Sequence, residues 1–211
     1  MTKLPASQSL RPARLIPLAV LPALLACSPL AHAVDGTITI NGEIIDSTCK
    51  INGMAPPADI LVTLPKIATT ALKSKGDVAG ATLFVITLSD CPASLEGKVK
   101  AHFEPGPTVD YDSGALHAYT NSSSDIKAAK NIPSVSSLTA VQNVQIQLAN
   151  PDGSAIKIGT ADSKVEGVTL TSSGDKKAAT LRYLARYVKS TDEAITAAKV
   201  ISYVQYSIVY P

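Results

Sequence analysis

Residues 34–44 read Val-Asp-Gly-Thr-Ile-Thr-Ile-Asn-Gly-Glu-Ile, and the rest of the chain is read from this stretch. Val34, Ile38, Ile40 and Ile44 share one parity with Gly36 and Gly42, while Asp35, Thr37, Thr39, Asn41 and Glu43 share the other. Alternation of β-branched with polar residues is the pattern of a strand that buries one face. A chain terminus is ordinarily the least structured part of a domain. A terminus written as a strand needs a groove to lie in, and that groove can belong to another molecule.

What precedes the stretch is what makes it a terminus. Residues 1–14 carry Lys3, Arg11 and Arg14 and no acid, Leu15 to Ala26 form an apolar run, and Ala31-His32-Ala33 is a small-x-small cleavage site. That layout predicts a secretory signal peptide over residues 1–33, too short and too proline-rich to span a bilayer as a helix. Leu24-Leu25-Ala26-Cys27 also resembles a lipoprotein processing box, in which Cys27 would carry the lipid. Cleavage after Ala33 is the leading expectation, because Leu25 is bulkier than the residue usual in such a box. Lipidation at Cys27 is the alternative.

The leader holds three of the 19 basic residues and none of the 17 acids, which leaves 16 basic against 17 acidic side chains in the exported chain. The basicity of the whole sequence therefore belongs to the leader, and there is no electrostatic case for nucleic acid or an anionic membrane surface. The 178 residues that remain suffice for one domain burying roughly 70% of its unfolded surface. Two of the three cysteines survive cleavage, Cys49 and Cys91. In an oxidising compartment an even pair predicts a disulfide, here closing a loop of about 43 residues.

Beyond residue 45 the chain is a succession of short apolar runs punctuated by turn residues. Ile60 to Leu64 stops at Pro65, Ala81 to Leu88 ends at Ser89-Asp90-Cys91, and Val99 to Phe103 precedes Pro105-Gly106-Pro107. Val141 to Leu148 alternates, and Asn150-Pro151-Asp152-Gly153 turns the chain into Ile156 to Ile158. Val165 to Leu170, Leu181 to Val188 and Val200 to Tyr210 complete the set. Strands at this spacing predict an all-β antiparallel sandwich. Ile67 to Leu72 reads as one helical turn, Asp192 to Lys199 as a short helix or loop, and residues 120–137 as a long surface excursion.

Groups able to converge on chemistry are scarce. After export only His102 and His117 remain, too few for the ligand set of a copper–zinc sandwich enzyme or a usual zinc site. Ser122-Ser123-Ser124 is a polar loop without a nucleophile elbow or a placed base. The stretch from Gly36 to Gly42 is no phosphate cradle, since a strand rather than a helix follows. Asp110 and Asp112 beside Tyr111 read as turn residues. With no tryptophan and nine aromatic residues, a sugar-stacking platform is disfavoured. These residues imply neither enzyme, cofactor nor metal.

The order of motifs resembles the major subunits of Gram-negative fimbriae assembled by the chaperone–usher route, the type 1 pilins, and most closely the serotype-antigen fimbrial subunits. The matching residues are Gly36 to Ile44, Cys49, Leu64-Pro65-Lys66-Ile67, Leu72, Gly76, Ala79 to Leu88 and Cys91, then Gln145-Ile146-Gln147-Leu148 before Asp152-Gly153, Tyr183-Leu184-Ala185-Arg186-Tyr187, and Tyr206-Ser207-Ile208-Val209-Tyr210. The resemblance implies an incomplete immunoglobulin-like β-sandwich, completed by a donor strand from a neighbouring subunit. It implies residues 34–44 as the donor-strand extension and 45–211 as the pilin domain. Val34, Ile38 and Ile40 would fill pockets, and Gly36 would match the glycine placed where the groove narrows. Val204, Tyr206, Ile208 and Tyr210 would border the groove and meet the chaperone. The sequence departs from the pattern at its last residue, Pro211, and in having no glycine among Ala197, Ala198 and Lys199.

The function so implied is a structural shaft subunit of a fimbrium on the cell surface, exported through the periplasm and supporting adhesion. Its partners would be identical or related pilin subunits, a periplasmic chaperone, an outer-membrane usher and a tip adhesin. The reading from a different class is a periplasmic or lipid-anchored β-sandwich that binds a ligand by itself.

Overall fold

A computed structural model describes residues 37–45, 48–160 and 163–211. The leader 1–33, with Cys27, and the proposed donor residues Val34 and Gly36 lie outside the described residues. Residues 45–211 form one compact unit, separate from the described residues 37–44 that precede it.

Eleven strands and two single 3-10 turns make up the described fold. They are β1 (Lys50–Ile51), β2 (Val78–Cys91), β3 (Lys98–Phe103), β4 (Val109–Asp110), β5 (Ala115–Thr120), β6 (Ala140–Ala149), β7 (Val168–Thr169), β8 (Thr171–Ser173), β9 (Lys176–Lys189), β10 (Val200–Ile201) and β11 (Tyr206–Val209). The larger sheet runs β1-β2-β9-β6-β5-β10, with β4 on β5 and β8 on β9; the smaller runs β11-β3-β7. Every pairing is antiparallel. The architecture is the expected all-β sandwich of immunoglobulin-like type.

Period-two burial follows from the sequence. Ile86 and Leu88 of β2, Leu181, Tyr183 and Ala185 of β9, Ile146 and Leu148 of β6, and Val99, Ala101 and Phe103 of β3 all point between the sheets and are buried. Phe103 meets the Tyr183 ring edge-on at 5.3 Å between centroids, and Phe84 lies 5.8 Å from the same ring. The Tyr183 hydroxyl crosses the sandwich, accepting from Ala101 N at 3.0 Å and donating to Glu166 O at 3.3 Å. It serves an edge of β3 that β7, paired only with Lys98 and Val99, has left uncovered. Cys49 and Cys91 are bridged as expected.

Several runs fold otherwise than their spacing predicts. Ile156 and Ile158 are buried but form no ladder, because their amides donate to two separate partners, Leu148 O and Gly114 O. Only Val168–Thr169 of the run 165–170 is a strand. The single apolar run Val200 to Tyr210 is divided, β10 pairing with β5 in one sheet and β11 with β3 in the other. Thr69–Ala71 makes the expected turn, Asp192 to Lys199 is a loop, and residues 121–137 are irregular apart from a 3-10 turn at Val135–Ser137.

Candidate functional site

Residues 58–64 alternate strictly, Ala58, Ile60, Val62 and Leu64 turned toward the core and Asp59, Leu61 and Thr63 exposed. The segment is extended and half-buried, as its sequence predicts, yet it belongs to no sheet. Among the described residues no backbone–backbone hydrogen bond involves residues 55–67. Backbone amides and carbonyls in a folded domain are nearly always paired, so an unpaired run of this length with an apolar inward face is an open edge.

β11 has the complementary character. Its one ladder, to β3, uses one edge only. Val204, Tyr206, Ile208 and Tyr210 are half-buried and packed on the core, whereas Gln205, Ser207 and Val209 are exposed. The Tyr206 hydroxyl donates to Ala58 O at 2.6 Å, and the Tyr210 hydroxyl accepts from Cys49 N at 3.1 Å. The two segments are joined through side chains and not through a ladder. Both segments thus present an edge without a ladder partner and apolar residues at alternate positions.

The larger sheet closes the far end of the unpaired wall. Tyr187 of β9 donates its hydroxyl to Pro65 O at 3.2 Å. Its ring reaches that carbonyl by lying over Gly80, where β2 carries a bulge and φ is +66°. A Cβ at Gly80 would approach the Tyr187 ring to 3.0 Å and Pro65 Cγ to 3.3 Å, so glycine is required both by the backbone and by the space. Burial raises the pKa of both Tyr187 and Tyr206 above the ordinary tyrosine value, with Asp59 adding to the effect at Tyr206.

The arm before the domain presents the opposite surface. Ile38, Ile40 and Ile44 are 89%, 91% and 100% exposed, although β-branched apolar residues are ordinarily among the most buried. Of the residues named from sequence, the structure groups Val204, Tyr206, Ile208 and Tyr210 along one edge and leaves Ile38 and Ile40 uncovered. The second wall, Ala58 to Pro65, and its anchor Tyr187 were not singled out. Their signal was the Ile60, Val62, Leu64 alternation ending at proline, read only as one strand among others.

The remaining candidates are structural. Asp110 accepts from Asp112 N at 3.0 Å and from the side chains of Ser113 and Gln145, and these bonds outweigh its desolvation and hold its pKa below the usual carboxylate value. His102 lies 3.6 Å from Glu104 on the exposed face of β3, and His117 packs edge-on against Tyr119.

The family described as "Type-1 fimbrial protein, A" matches residues 64–211. The serotype 3 fimbrial subunit of Bordetella pertussis is 44% identical over 193 residues, covering 89% of this chain and 94% of its own. The serotype 2 fimbrial subunit of the same organism is 40% identical over 199 residues, covering 90% and 93%. Among solved structures, the P pilus rod subunit PapA superposes with a TM-score of 0.52 at 18% identity, covering 78% of this chain and all of that one. A subunit from the structure of a chaperone–usher pilus gives 0.52 at 20% identity over 87% of this chain and all of its own. With the family matched over most of the chain and relatives matched along nearly their whole length, the chain belongs to the type-1 fimbrial proteins, as a structural subunit of a cell-surface fimbrium and not an enzyme.

Proposed function

We propose that this subunit polymerises by donor-strand exchange on the chaperone–usher route, with Val34, Gly36, Ile38 and Ile40 of one copy entering the slot between residues 58–65 and β11 of the next. The observation that carries the reading is the coexistence of an unpaired, inward-apolar wall at residues 58–64 with an arm whose isoleucines stand in solvent. Strand addition satisfies both at once: the open edges gain main-chain hydrogen bonds, and alternate side chains enter pockets. Each buried isoleucine contributes roughly 1.5–3 kcal/mol. Before assembly the slot needs a cover, since an open apolar edge invites aggregation; a periplasmic chaperone strand set against Val204 to Tyr210 would supply it. Residues 1–33 serve as the export leader, and an outer-membrane usher and a tip adhesin complete the set of partners. The polymer is the shaft through which adhesion is supported.

Ile38→Asp with Ile40→Asp tests the reading. Two carboxylates would have to enter apolar pockets unpaired, at several kcal/mol. The variant is expected to fold on its chaperone, because its own slot is untouched, and to form no fibres when it is the sole copy in the cell. Long fibres of that variant under the electron microscope would overturn the assignment.

A further inference from the structure

The wall formed by residues 55–67 has no ladder to hold it, yet it is in place. Among the described residues, the hydrogen bonds that reach its backbone come from two tyrosine hydroxyls, Tyr206 to Ala58 O at 2.6 Å and Tyr187 to Pro65 O at 3.2 Å. A third tyrosine, Tyr210, takes the amide of Cys49 at 3.1 Å, but Cys49 precedes β1 and the turn at residues 52–53 and so lies outside the wall. The two anchors come from both sheets, Tyr187 from β9 and Tyr206 from β11. They fall at the two ends of the inward-apolar run 58–64, leaving the backbone between the ends free. Side-chain anchors of this kind can set the distance between two walls without using the hydrogen-bonding groups that an incoming strand needs.

We infer that Tyr187 and Tyr206 are positioning residues for strand insertion, holding the unpaired wall in place opposite β11 so that the slot is preformed before a donor arrives. The inference rests on the donor-strand reading and adds how the acceptor is kept ready. Preorganisation acts on capture: a wall that must first be ordered lowers the fraction of subunits competent to bind and so slows association. Once the donor is in, its own ladder holds the wall, and the hydroxyls matter less. The signature is therefore a loss in on-rate with the off-rate unchanged.

The test uses the full chain carrying Ile38→Asp and Ile40→Asp, so that its own arm cannot enter a slot. The chain is diluted out of denaturant into a fluorescein-labelled peptide of residues 34–44, and capture is followed by anisotropy. Tyr187→Phe and Tyr206→Phe each remove one hydroxyl and leave the ring. Losing one neutral hydrogen bond from the empty slot is expected to slow capture about fivefold per residue, with displacement of the bound peptide by unlabelled competitor unchanged. Tyr183→Phe, between the sheets and away from the wall, is the control and should leave the on-rate alone. Wild-type on-rates in both Phe variants, or an on-rate loss matched by Tyr183→Phe, would overturn the positioning role while leaving the donor-strand reading intact. Failure of the chain with all its tyrosines to capture the peptide would overturn both. Should one Phe variant not fold, the other carries the same test.

Discussion

At the scale of single residues, polar side chains stand in wherever a strand ladder stops. Tyr183 caps the β3 edge beyond β7. Asn150, buried at 1% exposure, donates to Lys164 O and Ser154 Oγ and accepts from Glu166 N, tying down a loop that the sandwich cannot pair. Tyr183→Phe leaves the Ala101 amide without its acceptor and should cost about 1–2 kcal/mol in urea unfolding of the peptide-filled subunit. The tyrosines also set an alkaline limit. Burial raises Tyr183 above the ordinary value near 10, as it raises Tyr187 and Tyr206. An acid whose folded pKa is raised contributes its stability in full below the unfolded pKa and loses it as pH rises through the folded one. Stability should therefore hold up to about pH 10 and fall beyond it. Tyr183→Phe should flatten that fall, as measured by unfolding midpoints across the alkaline range.

At the scale of elements, the sequence announced long strands better than broken ones. Alternation in Val141 to Leu148 and the apolar run Ala81 to Leu88 are found as β6 and β2, because a buried face imposes period two wherever a ladder is continuous. The run Val200 to Tyr210 concealed a change of sheet. No glycine or proline marks it, because the crossing at residues 202–205 is held by Ser202 Oγ donating to His117 O at 2.8 Å and Thr108 Oγ1 donating to Tyr203 O at 2.7 Å. Ile60 to Leu64 was legible as extended chain, but the absence of a ladder partner is a property of topology that no local pattern records. The site divides the same way: its β11 edge was readable through the closing Tyr206 to Tyr210 motif, whereas the opposite wall required knowing what lay beside it. The disulfide was legible from the two cysteines left after the predicted leader is removed, together with export. Replacing Cys49 and Cys91 together by serine should cost roughly 4 kcal/mol on the chain-entropy estimate for a separation of 42 residues. Chemical denaturation of the peptide-filled subunit measures it.

At the scale of the whole molecule, the proposed slot and arm would make the subunit a polar building block, and the bridge between Cys49 and Cys91 would decide how such a block carries tension. In a fibre joined by exchanged arms, a pull enters each subunit through residue 45 and runs directly into the segment that forms the slot's own wall. Unopposed, the load would peel Lys50 onward from β2 and then residues 58–65 from the core, opening the slot that grips the next arm. The sulfur bridge diverts the force at Cys49 straight to Cys91, at the C-terminal end of β2 in the larger sheet. The wall is thereby spared the pull that enters from residue 45. In single-molecule stretching, oxidised fibres should lengthen without releasing the 42-residue loop, and reduction should add about 150 Å of slack per subunit. A covalent bond formed for folding thus serves in the finished filament as a strain relief, and a reduced filament should fail by shedding arms at lower force.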